Sequence, residues 1–146
     1  MNPTLTNSVA LVARILLAVI FIMSGFGKIT GFSGTVAGIA SKGIPLPEVA
    51  AAGAIAVEFL GGLLLVAGWK ARWAAALIFL FIIPTTYFFH NPGASPPDQV
   101  QMQTIQLLKN LSIMGGMLMV LAFGAGGWSL DAWTSKGARQ WPRNAA

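Results

Sequence analysis

A chain of 146 residues that is 55% hydrophobic and 9% charged, with a mean hydropathy of +0.72, lies outside the range of water-soluble globular proteins and has the size of one membrane domain. It contains 0 cysteines, which excludes disulfide exchange, thiolate chemistry and cysteine-ligated zinc or iron-sulfur clusters within the chain. The net charge of +5 comes from basic residues that flank apolar segments without forming a run, a pattern of membrane topology and anionic-lipid contact and not of nucleic-acid binding.

Residues 8–27 make the first apolar span, interrupted by Arg14 and closed by Lys28. A signal peptide is not expected here, because the amino terminus lacks a basic stretch and Arg14 interrupts the apolar run. Steps of three and four residues put Arg14, Ala18, Phe21, Gly25 and Lys28 on one face, which should pack inward. The connection from Ile29 to Pro47 is too polar to span. Phe32, Val36 and Ile39 recur in it at helical spacing, so a short interfacial helix is expected, ended by Gly43-Ile-Pro-Leu-Pro47; a plain loop is the other reading.

The second span, 49–69, carries one carboxylate near its centre, Glu58. Ala51, Ala54, Gly61, Gly62, Leu65 and Gly68 surround it, and small residues let membrane helices approach closely. Lys70 and Arg72 lead into the third span, 73–90, which contains Pro84 and ends on a face assigned to Thr86, Tyr87 and His90. Asn91 to Gln103 reads as an aqueous loop. The fourth span, 104–128, begins with Gln106, Lys109 and Asn110, and 129–146 reads as a surface tail. The fold class is therefore all-α, a four-helix transmembrane bundle with a short interfacial helix between the first and second spans. Five basic residues on the side of the termini, against two or three on the other, place both termini in the cytoplasm.

An acid at bilayer depth needs a partner. Helix rise puts Arg14 about 9 Å and Glu58 about 15 Å in from the same side, so the sequence suggests an Arg14–Glu58 pair, either functional or purely architectural. A polar track would then pass Glu58 and open outward near His90, Lys109 and Asn110. Lys28, at a helix end, reads more simply as a residue whose ammonium snorkels to the interface. His90 is the single histidine, so no metal site is expected.

Arg14 early in the first span, the Phe21-Ile-Met-Ser-Gly-Phe-Gly-Lys28 close, the Gly43-Ile-Pro-Leu-Pro47 entry, Glu58-Phe-Leu-Gly61-Gly62 with Gly68, His90 after the third span and Lys109-Asn110 in the fourth resemble, in order and spacing, the DoxX family. The resemblance covers about residues 9–125 and implies a small four-helix protein of the bacterial inner membrane. Some DoxD-type relatives belong to a thiosulfate:quinone oxidoreductase, and other members are associated with oxidative-stress complexes. This chain lacks the second, soluble domain of the oxidoreductase relatives, so a complete thiosulfate-oxidising enzyme is not expected.

Together these readings lead to a redox-associated subunit that binds a quinone or similar lipid-soluble carbonyl compound. Glu58 would relay a proton with Arg14 holding it ionised, and His90, Lys109, Asn110, Tyr87 and Lys28 would line the ligand site. Its expected partners are membrane lipids and other membrane or redox subunits or further copies of itself. The alternative is a non-enzymatic subunit that stabilises or assembles a larger membrane complex. A small transporter is a third reading, disfavoured because four short spans leave little room for alternating access.

Overall fold

The computed structural model describes residues 2–139, with side chains to residue 135. Helix α1 runs from Pro3 to Thr30, starting at a proline behind Asn2, whose side chain accepts from the Thr4 N–H at 3.0 Å. After Gly31 the chain turns into α2 (Phe32–Ala40), the short helix expected between the first two spans. The second span is built from α3 (Pro47–Ile55), a π-helical turn (Ala56–Leu60) and α4 (Gly61–Ala67). Helix α5 (Ala71–Phe89) forms the third span and α6 (Val100–Phe123) the fourth, followed by α7 (Leu130–Arg139). Among the described residues, four helical stretches are long and apolar enough to cross a membrane.

The amphipathic faces expected from spacing are the buried ones. In α1 the buried residues are Arg14, Ala18, Phe21 and Gly25, and along the second span Ala51, Ala54, Glu58, Gly61, Gly62, Leu65 and Gly68 all face inward. The core is built largely of alanines, Ala18, Ala71, Ala74 and Ala75 among them, with Leu65, Ile78 and Met117 filling the remainder. Large apolar side chains such as Leu16, Met23, Leu80 and Met119 point outward, as a lipid-facing surface requires.

Several boundaries differ from the sequence expectation, the first span among them, since α1 runs from Pro3 to Thr30 and not from 8 to 27. The fourth span starts at Val100 and ends at Phe123, because Gly124 adopts φ +79, and 124–128 is not helical. The expected loop of 91–103 is shorter, with a 3-10 turn at Pro92–Ala94 and helix from Val100. The tail is more than a surface segment: Asp131 folds back onto the turn between the second and third spans, its carboxylate accepting from the N–H groups of Lys70 at 2.7 Å and Ala71 at 3.0 Å. Arg143, counted for orientation, and the rest of 140–146 lie outside the described residues.

Candidate functional site

Glu58 occupies the middle of the π-helical turn, and α1 approaches this turn closely. A Cβ on Gly25 would stand 2.8 Å from both the backbone N and the Cβ of Phe59, and one on Gly62 would meet Ile22 Cγ1 at 2.7 Å. Glycine at 25 thus admits the widened turn against α1. The consequence is that the next turn of α1, carrying Ser24 and Lys28, faces Glu58. Lys28 Nζ lies 2.7 Å from Glu58 Oε2 and 2.6 Å from Ser24 Oγ.

The Arg14–Glu58 pair suggested by depth is not formed, and Lys28 does not simply snorkel. Arg14 donates to the backbone carbonyls of Leu65 at 3.1 Å, Val66 at 3.3 Å and Trp128 at 2.6 Å, and its Nε has no partner among the described residues. The reason is register. The second span ends at Gly68, which takes φ +66 in a helix-ending motif with Trp69 N–H bonded to Leu64 C=O at 3.1 Å. That end, with its unsatisfied carbonyls and the negative pole of the helix, is level with Arg14, where a guanidinium is favoured. Lys28 lies roughly 21 Å further along α1, at about 1.5 Å rise per residue, level with Glu58.

A cavity of about 520 Å³ opens beside the ion pair. Ser24, Lys28 and Glu58 form its polar wall. Phe81, Pro84, Phe88 and Phe89 of α5 form the aromatic and apolar one, and Thr35 and Ile39 of α2 lie across it. His90, the residue that closes α5, reaches the same cavity. Its Nδ1 is 3.2 Å from Gln103 Oε1, an amide oxygen that can only accept, so Nδ1 is the donor in this contact. The volume is of the size usual for small-molecule sites, and a mostly apolar wall with a few converging polar groups is their usual lining.

A second, smaller cavity of about 150 Å³ adjoins it, bringing Lys109 and Asn110 toward Glu58 and His90. Asn110 is buried and donates through Nδ2 to Thr86 Oγ1 at 2.8 Å, while Lys109 is bonded to Gln106. Of the residues expected in the site, Glu58, Lys28, His90, Lys109 and Asn110 therefore come together. Arg14 lines neither cavity. Tyr87 is 67% exposed and lines neither, so the assigned Thr86, Tyr87 and His90 face does not exist: Thr86 turns inward to Asn110 and Tyr87 outward. Sequence reasoning missed Ser24 and Thr85, which line both cavities. Ser24 was detectable as the hydroxyl one helical turn before Lys28; Thr85 carried no such signal.

Comparison with known proteins agrees with this architecture. The family model for DoxX matches residues 9–91. The chain is similar to the inner membrane protein YphA of Escherichia coli K12, 38% identical over 121 residues that cover 83% of this chain and 86% of the relative. It is also similar to the inner membrane protein YqjF of the same organism, 36% identical over 129 residues, 86% of this chain and 92% of the relative. No solved structure matches.

Proposed function

The chain belongs to the DoxX family of inner-membrane proteins, and within that family we propose that it is a redox-associated subunit whose bundle binds a quinone or a similar lipid-soluble carbonyl compound. The observation that carries this reading is the cavity of about 520 Å³ whose one polar wall is the Lys28–Glu58 pair with His90, the rest being largely aromatic and aliphatic. An apolar, planar head group with carbonyl oxygens is complementary to such a wall. The Lys28 ammonium donates to one oxygen, and Glu58 and His90 exchange protons with the reduced form.

Reduction of a quinone to a quinol takes two electrons and two protons. In this proposal the electrons come from a partner redox subunit and this chain handles the protons, with Lys109 and Asn110 behind Glu58. Arg14 takes no part in that chemistry and holds the opposite end of the bundle, and Tyr87 faces away from the ligand. The excess of basic residues on the side of the termini supports a cytoplasmic location for both termini, an orientation that would set the ligand site toward the outer face.

The test is extraction of the protein, purified in mild detergent, for bound quinone, followed by thermal unfolding with added ubiquinone or menaquinone. Quinone in the extract and a stabilisation that is lost in Glu58→Gln are expected; saturation at about 100 times Kd corresponds to roughly 2.7 kcal/mol. Absence of quinone from the extract, together with equal melting of wild type and Glu58→Gln at every quinone concentration, would overturn the reading.

A further inference from the structure

The two cavities differ in character and meet at one wall. Ser24, Glu58, Phe81, Thr85 and His90 line both. Beyond that wall the larger cavity adds Lys28 and Thr35 to a lining that is otherwise apolar, of phenylalanines, isoleucines, alanines and Pro84, whereas the smaller one adds Lys109 and Asn110 to four apolar residues. Its volume of about 150 Å³ is ample for ordered water, and six of its eleven lining side chains are polar and able to hold it. Behind Lys109, the first turns of α6 carry Gln106 and Gln103, the latter bonded to His90, and lead to the polar segment at 91–99.

The geometry points to a divided site: the small cavity is a water-holding proton antechamber that serves Glu58 from behind, separate from the apolar cavity that takes the ligand. The inference rests on the ligand reading given above and adds the route by which its protons arrive. Glu58, the carboxylate paired with Lys28, takes a proton that waters of the small cavity relay from the aqueous end past Asn110, passes it to a ligand oxygen in the large cavity and returns to the carboxylate facing Lys28. The partner redox subunit supplies the electrons, so each turnover moves two protons through Glu58 and leaves its charge unchanged.

The charged and titratable groups that face Glu58 are Lys28 from α1, His90 at the end of α5 and Lys109 from α6. The other acid of the second span, Glu48, is in the first turn of α3 and lines neither cavity.

The experiment uses the full chain in lipid nanodiscs and follows the carboxylic-acid infrared band of Glu58 after a jump from alkaline to acidic pH, with the band assigned by its loss in Glu58→Gln. Two variants fill the small cavity from different helices, Ile113→Phe and Ile20→Phe, and either one decides the matter if the other does not fold. Ala54→Phe fills the large cavity. The expected result is a rise of the band slowed tenfold or more in either small-cavity variant with quinone affinity within twofold of wild type, and the reverse pattern in Ala54→Phe. An unchanged rise in the small-cavity variants, or a slowed one in Ala54→Phe alone, overturns the antechamber. If wild type binds no quinone while the small-cavity variants still slow the band, the ligand reading fails and the proton route stands.

Discussion

Lys28 reaches across from α1 to place its Nζ 2.7 Å from Glu58 Oε2, and among the described residues this is the one ion pair of the bundle. Its two side chains are unequal: that of Lys28 is 28% exposed and that of Glu58 7%. Removing the cation therefore strands the acid more severely than removing the acid strands the cation. Lys28→Met should cost about 3–5 kcal/mol while Glu58 stays charged, and Glu58→Gln less. The double variant should recover much of the loss, because two neutral groups have no charge left to compensate. Equilibrium unfolding in mixed detergent micelles, read as a double-mutant cycle, checks this; strict additivity would mean the pair is not coupled.

The close approach of α1 to the π-helical turn depends on Gly25. Gly25→Ala should destabilise the bundle by about 1–3 kcal/mol, since the new methyl meets the Phe59 backbone, which has nowhere to go. Two residues on, a Cβ at Gly27 has nothing within 4 Å. Gly27→Ala should be neutral within about 0.5 kcal/mol. The same unfolding assay on the two variants separates a contact effect from a general intolerance of alanine in α1.

Gly68 is required twice over, by its φ of +66 and by the guanidinium of Arg14 packed where a Cβ would stand. The left-handed conformation alone costs an alanine about 1–2 kcal/mol, and displacement of Arg14 adds to it, so Gly68→Ala should lose more than 2 kcal/mol. Arg14→Lys should not preserve stability either. One ammonium cannot reproduce a planar fork that serves Leu65 and Val66 on one element and Trp128 on another. Both variants should keep quinone affinity per folded molecule, measured by binding isotherms corrected for the active fraction.

Asp131 supplies the start of α5 with a cap from 60 residues away in sequence. Its carboxylate takes the N–H groups of Lys70 and Ala71, and its own N–H donates to Gly68 C=O at 2.9 Å. Asp131→Ala should cost about 1–2 kcal/mol, the usual loss of a helix cap, and Asp131→Asn less because one oxygen remains. Hydrogen exchange should localise the loss to the first turn of α5, with Lys70 and Ala71 amides losing protection before any other part of that helix.

Much of the fold was legible because helical periodicity is a local property. The inward face of α1 and the ring of small residues around Glu58 follow from steps of three and four residues, and both are buried as expected. Partner choice was not legible in the same way. It depends on the vertical offset between two helices, and the starts of the helices, at Pro3 and Pro47, set that offset together with the close contacts at Gly25, Gly62 and Gly68. Estimating depth from apolar run lengths put Arg14 and Glu58 within reach of each other and missed the level of the ends. The π-helical turn leaves no periodic trace in five residues of Ala-Val-Glu-Phe-Leu, so the turn itself was invisible. Tyr87 was misplaced because neighbouring residues on a helix point about 100° apart, and only packing decides which of them turns inward.

The three carbonyls that hold Arg14 also set a timetable for biogenesis. Two belong to residues 51 and 52 positions later and the third to one 114 positions later. At a synthesis rate of about 5–20 residues per second, the first arrive roughly 3–10 s after Arg14 itself and the last roughly 6–23 s after it. During that interval a bare guanidinium must be sheltered by the insertion machinery or by lipid headgroups. The first two spans can pair before the fourth is made, yet this end of the bundle locks only when Trp128 emerges.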